Sequence, residues 1–114
     1  EVLGWHPNGN KWYSKLYSSG KPDGEWTYYF DNGKVQMVET FRNGKKNGRW
    51  SEWYIDGNDR THGNMKNNKM VGEWMFWYSN GKKKLECNLH LGTLIGPAKI
   101  YNDNGELKTE IKND

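Results

Sequence analysis

Three histidines and one cysteine are the residues of this 114-residue chain best suited to chemistry. A histidine beside a thiol can take its proton and leave a nucleophile, and histidines grouped with cysteine or carboxylates can hold a metal. His6, His62 and His90 are far apart, fall at unrelated positions of the internal repeat and show no ligand spacing. His62 and Cys87 are the one pair to weigh as a dyad. Repeat alignment puts Cys87 where Gly63 stands, on the opposite side of a strand from His62, so Cys87 reads as a small buried hydrophobe. The carboxylates lie mostly in turns or beside lysines, with no isolated pair set in an apolar pocket for acid–base work. No nucleophile elbow is present, and no glycine-rich loop opens a helix. The sequence therefore predicts no catalytic set, no metal and no cofactor.

Aromatic rings are the remaining candidates, and they recur. Trp5, Tyr29, Trp53, Trp77 and Tyr101 are spaced by 24 residues, as are Trp26, Trp50 and Trp74, whose series ends at Ala98. Glycines keep the same step: Gly24, Gly48, Gly72 and Gly96, and Gly9, Gly33, Gly57, Gly81 and Gly105, each of the latter preceded by Asn or Asp. A further series runs Gly20, Gly44, Asn68, Gly92. A fixed period of this length signals a repeat array.

Within one unit, an aromatic-rich run over residues 24–31 is followed by Asn32-Gly33 and a second run with alternating apolar residues. That is a β-hairpin, with Asn-Gly read as its two-residue turn and residues 44–48 as the longer return turn. The units are 1–23, 24–47, 48–71, 72–95 and 96–114. The fold class follows as all-β: an elongated single-sheet antiparallel meander of about five hairpin repeats. About ten strands at about 4.8 Å each give a length of roughly 45 Å.

Two-residue turns set the faces. One face carries Trp26, Tyr28, Phe30, Met37 and Phe41 with their counterparts, and is the packed one. On the other, Tyr29 pairs with Gln36, Trp53 with Arg60, Trp77 with Lys84, Tyr101 with Lys108, and Trp5 with Trp12. This aromatic ladder with cations beside three of its rings is the candidate binding surface. A cation over an exposed ring contributes about 0.5–1 kcal/mol. The competing reading is structural: rings at every second strand brace a helix-free single sheet, which draws stability from both faces, and the basic stems cover them.

Composition bounds the partners. Leu, Ile, Val and Phe make only 18 of 114 residues, but seven Trp and seven Tyr supply apolar area in their place. Each such ring can bury about 150–250 Å². A net charge of +3, with lysines scattered among acidic and Asn-rich neighbours, argues against nucleic acid. No apolar run is long enough to span a bilayer. A single cysteine leaves the compartment unspecified. The first residue is Glu1, which fits a processed product or an excised segment.

The stretch Phe41-Arg-Asn-Gly-Lys-Lys-Asn-Gly-Arg-Trp-Ser-Glu-Trp-Tyr-Ile-Asp-Gly57 resembles a MORN repeat. It has the Asn-Gly-Lys turn, a glycine four residues on, an aromatic strand and a closing Asp-Gly turn. The resemblance spans essentially the whole chain. Trp26, Trp50 and Trp74 replace a second small glycine, which brings it nearer the bacterial variant of the repeat, often labelled antitoxin-like. It implies an antiparallel array with a scaffolding or protein-binding role and no catalytic residues. Gly4-Trp5 with Asn8-Gly9-Asn10-Lys11-Trp12-Tyr13 is also similar to aromatic repeats that bind choline or glucan on bacterial surfaces. The reading is a non-catalytic module whose partner is another protein. Attachment to an anionic lipid or cell-wall glycan surface is the alternative, a secreted or cell-envelope location is compatible with it, and edge strands offer a route to oligomers.

Overall fold

The computed structural model describes residues 1–112 and contains twelve strands. They are β1 (Val2–Trp5), β2 (Lys11–Lys15), β3 (Tyr17–Ser18), β4 (Lys21–Pro22), β5 (Gly24–Tyr29) and β6 (Val35–Arg42). The series continues with β7 (Lys45–Trp53), β8 (Asp59–Lys66), β9 (Lys69–Trp77), β10 (Lys83–His90), β11 (Thr93–Tyr101) and β12 (Leu107–Ile111). Ten of them form one antiparallel sheet in the order β1-β2-β5-β6-β7-β8-β9-β10-β11-β12, and β3-β4 is a separate two-stranded ribbon. The molecule measures 44 × 32 × 12 Å, one sheet thick. The all-β meander and its length agree with the sequence reading.

The turns differ from that reading, and in a consistent way. Around Asn32-Gly33 the Phe30 N–H donates to Lys34 O (2.8 Å) and the Gly33 N–H to Phe30 O (3.0 Å), closing a three-residue loop whose glycine has φ +87°. This is a type I turn with a glycine bulge. The tight two-residue turns are instead the return turns. Asn43 and Gly44 have φ of 52° and 82°, and Ser19-Gly20, Asn67-Asn68 and Leu91-Gly92 match them. Positive φ at both central residues defines the mirror-image turn that suits strand twist.

Both ends of the hairpins are tied from unit to unit. At the tips, Asn32 Oδ1 accepts the Lys34 N–H at 2.9 Å while its Nδ2 donates to Ile55 O of the next unit at 3.2 Å. Asn8 and Asn80 donate likewise to Asp31 O and Asp103 O, both at 2.7 Å. Asp56 has no amide to give, and Asn58 Nδ2 reaches Ser79 O at 3.1 Å in its stead. At the return turns the Gly44 N–H donates to Pro22 O (2.8 Å), Asn68 N–H to Lys46 O (2.9 Å) and Gly92 N–H to Met70 O (2.9 Å).

A bend places the core. Between the pairs Glu39↔Trp50 and Phe41↔Lys46, β6 advances two residues and β7 four, with Gly48 at φ +119° in the excess. A side chain there would be strained and would press on Thr40 at 3.2 Å. The return hairpins thus fold over one face of the sheet. Tyr17 and Phe41 lie against Trp26, with ring centroids 5.1 and 4.6 Å apart. Met65, Met70, Leu89 and Leu94 close over the buried group Trp74, Cys87 and Ala98. The indole N–H groups stay satisfied beneath this cover, Trp26 donating to Leu16 O at 2.7 Å and Trp74 to Val71 O at 3.2 Å. Two glycines serve this packing and no turn. Gly63 lies under Trp74 and Gly4 under Tyr13, where a β-carbon would stand 2.1 Å from a ring carbon. Only glycine leaves room for a ring flat on the strand.

Candidate binding face

The bulged tip turns shift every ladder pairing by one residue. Tyr29 faces Val35, Trp53 faces Asp59, Trp77 faces Lys83, Tyr101 faces Leu107 and Trp5 faces Lys11. The expected partners Gln36, Arg60, Lys84, Lys108 and Trp12 are the residues after these. The physical reason is the extra loop residue, which the two-residue turn model omitted.

The displaced side chains sit on the packed side. Arg60 Cζ lies 5.4 Å from the Tyr54 ring centroid and Lys84 Nζ 5.6 Å from that of Tyr78. Both border a cleft shared with Glu52, Thr61 and Phe76, which the ladder ring Trp77 also reaches. Trp12 stacks at 5.5 Å on His6, which holds the same repeat position as Tyr54 and Tyr78. So the nine candidate residues do not form one surface. Trp5, Tyr29, Trp53, Trp77 and Tyr101 line one face; Trp12, Arg60 and Lys84 belong to the other side. Lys108 is exposed on β12, next to the Leu107 that pairs with Tyr101.

Other groups flank the ladder rings. Lys11 Nζ lies 5.9 Å from the Tyr29 centroid and Arg49 Cζ 5.6 Å from that of Trp53. His62 stands between Trp53 and Trp77, edge-on at 5.5 and 5.3 Å. Its Nδ1 meets Ser51 Oγ and its Nε2 meets Asp59 Oδ1, each at 2.9 Å. This Asp–His–Ser order is that of a hydrolase, but the serine is placed for bracing. Ser51 is 2% exposed, and its oxygen also accepts the Arg49 Nε–H at 3.1 Å. Further along, the Tyr101 hydroxyl donates to Glu86 Oε1, and Lys83 Nζ approaches the same oxygen at 3.5 Å. That hydroxyl bond holds the Glu86 carboxyl below its ordinary range against the opposing effect of burial, and raises Tyr101 in turn.

Cys87 lies on the packed face, 8% exposed, and burial pushes its thiol pKa up. It is on the far side of the sheet from His62, as the alignment with Gly63 implies. Also on that face, Glu39 is 7% exposed and accepts the Tyr28 hydroxyl at 3.2 Å. Burial first, then the Glu39 charge, pushes Tyr28 up to about 12.

Exposure along the ladder is uneven. Trp5 is 58% exposed, while Tyr29, Trp53, Trp77 and Tyr101 are half-buried. The role of His62 and Arg49 is not legible from residue type, which marks histidine as a ligand or base. Its repeat position held the signal: His62 stands 24 residues after Val38 and 24 before Glu86, on the ladder side.

Among proteins of known family, three stretches of the chain, residues 22–43, 70–90 and 94–112, match the family model described as MORN repeat variant. Together they take in more than half of the sequence. A comparison with curated proteins returned no match.

Proposed function

Since the chain belongs to the MORN repeat variant family, whose members are generally non-catalytic repeat modules that commonly bind proteins or membranes, we propose that it binds another protein through the ladder face. The observation that carries this reading is the row Trp5, Tyr29, Trp53, Trp77 and Tyr101 on a face that the return hairpins leave uncovered. The opposite face spends its rings on packing. Rings held in a row by a rigid sheet give a partner large contact area at little conformational cost. The test is capture of a binding partner by chains carrying Trp5→Ala, or Trp53→Ala with Trp77→Ala, with folding followed by circular dichroism. Partner loss with an intact β-sheet spectrum supports the proposal. Retention of the partner, or loss that only accompanies unfolding, overturns it.

A second reading, attachment to an anionic lipid or glycan surface, draws on the return-hairpin edge. There Arg42, Lys45 and Lys66 line a cleft of about 400 Å³ with Asn43, Asn47 and Asn67. Co-sedimentation with anionic vesicles, weakening between low and high salt, separates this from protein binding.

A further inference from the structure

Between successive ladder rings the face forms a series of slots, and the residue at the middle strand of each slot follows the 24-residue step: Ser14, Val38, His62, Glu86. Two slots are filled from within. His62 occupies the one between Trp53 and Trp77, and Glu86, bonded to Tyr101 and Lys83, the one between Trp77 and Tyr101. Val38 stands between Tyr29 and Trp53. It is 5% exposed and carries no polar atom, and an open groove of about 660 Å³ borders it on the Trp53 side. Val35 and Val38 supply the apolar part of the groove floor beside Thr27, Trp53 a wall, and Arg49 and Lys34 two cations.

These cations are free of acidic partners. Arg49 donates through Nε to Ser51 and lies over Trp53, and Lys34 Nζ donates to the Asp56 carbonyl at 3.3 Å. Among the described residues Lys83–Glu86 is an ion pair and His62 meets Asp59 through a hydrogen bond, and neither Arg49 nor Lys34 meets a carboxylate. The outer nitrogens of a guanidinium over an aromatic wall suit a carboxylate in a two-point hydrogen bond. The floor suits a large apolar group.

We propose that the slot between Tyr29 and Trp53 takes a short segment of a partner polypeptide in which an acidic side chain adjoins a large apolar one. The carboxylate pairs with Arg49, and the apolar group covers Val35 and Val38 against Trp53. The two slots that follow along the sheet carry the same chemistry inside the chain: a ring wedged between two indoles in the next one, and a carboxylate held by a hydroxyl and a lysine in the one after it. The proposal rests on the ladder face being the protein-binding one, and names which slot and which side chains do the binding.

The experiment uses capped octapeptides in which Glu neighbours Leu or Phe, with Gln-for-Glu versions as controls, titrated against the full chain. The readouts are the Trp53 indole N–H resonance and the Val38 methyl resonances. Binding that shifts both signals and weakens at least tenfold on Glu-to-Gln exchange is expected. Arg49→Gln lowers affinity by a similar factor. Val38→His, which fills the slot as His62 fills its neighbour, abolishes binding while the chain keeps its β-sheet spectrum. Equal binding of the Gln peptides, unchanged affinity in Arg49→Gln, or shifts confined to Trp5 and Trp12 overturns the proposal. So does Arg49-dependent binding of phosphatidylserine vesicles without any peptide response, which assigns the anion to a membrane. A Val38→His chain that still captures a ladder-dependent partner defeats the slot and leaves the broader reading standing.

Discussion

The two faces of the sheet obey one period and use it differently. On the packed face the repeated ring is an indole laid under the next return hairpin, with Gly63 hollowed out beneath Trp74 and Met70 closing above it. On the ladder face the repeated ring stands beside a slot whose middle residue changes from unit to unit. The packed series holds the array together and tolerates little variety, ending in Ala98 where the hairpin cover is last. The ladder series keeps its rings and varies what lies between them. Periodicity thus fixes a frame, and departures from it mark the positions at which the units differ in chemistry.

This contrast makes graded predictions. Trp74→Ala should be the most damaging single change, costing about 3–5 kcal/mol as a buried large aromatic is deleted. Denaturant midpoints measured at constant m-value check it, and a loss no greater than for a ladder ring breaks the distinction between the faces. His62→Ala should cost less, about 1–2 kcal/mol, since it removes two edge-on ring contacts of roughly 0.5–1.5 kcal/mol each but leaves a slot open to water. Quenching of tryptophan emission by iodide should rise in that variant as Trp53 and Trp77 become more accessible.

Smaller effects sharpen the comparison at the tips. The hydroxyls of Tyr54 and Tyr78 donate to the Trp77 and Tyr101 carbonyls of the next unit, each at 2.7 Å, and His6 Nε2 meets Tyr29 O at 2.8 Å. The same position in the second unit is Phe30, which has no hydroxyl. Tyr54→Phe should therefore lose about 0.5–1.5 kcal/mol, and Phe30→Tyr should gain up to about the same by supplying the missing bond. Hydrogen exchange at the tips and thermal melts of the two variants give the comparison directly.

Effects of pH separate the faces as well. Tyr28 on the packed side favours its neutral form in the folded chain. Its contribution is whole below about pH 10, the unfolded value, and is lost as pH rises toward about 12. Glu86 on the ladder side favours its charged form. Its contribution is present above the unfolded carboxylate value of about 4.3 and is lost as pH falls through the lower folded value. Tyr28→Phe should flatten the alkaline limb of a stability profile, and Glu86→Gln the acid limb, each leaving the other in place.

The period, the meander and the division into a packed and a ladder face were legible because glycine and tryptophan are too constrained to recur by accident. The turn types were not, because the Asn-Gly pair was credited with the backbone role that its dipeptide signal suggests. In the structure the asparagine side chains at the tips cap their own turns and donate to the next unit, tasks that leave the positive φ to glycine alone. Pro7 at the first position of the Pro7-Asn8-Gly9 tip was the readable clue, since proline suits the second residue of a type I turn. Missing that residue moved each cross-strand partner by one, and with it Arg60, Lys84 and Trp12 to the wrong side. The slots were illegible for a different reason: a valine, a histidine and a glutamate at one repeat position look like drift until the rings on either side are placed.

The ties between units have a mechanical meaning. The N-terminal strand β1 and the last described strand β12 lie at opposite ends of the sheet, so a pull applied through them meets the hydrogen bonds one hairpin at a time and not all together. Each released unit of 24 residues would lengthen the chain by roughly 80 Å, at about 3.3–3.6 Å per residue. Under tension this array behaves as a row of breakable links, yielding in equal steps at low force, with the unit held by Phe30 in place of a tyrosine giving way more readily than its neighbours.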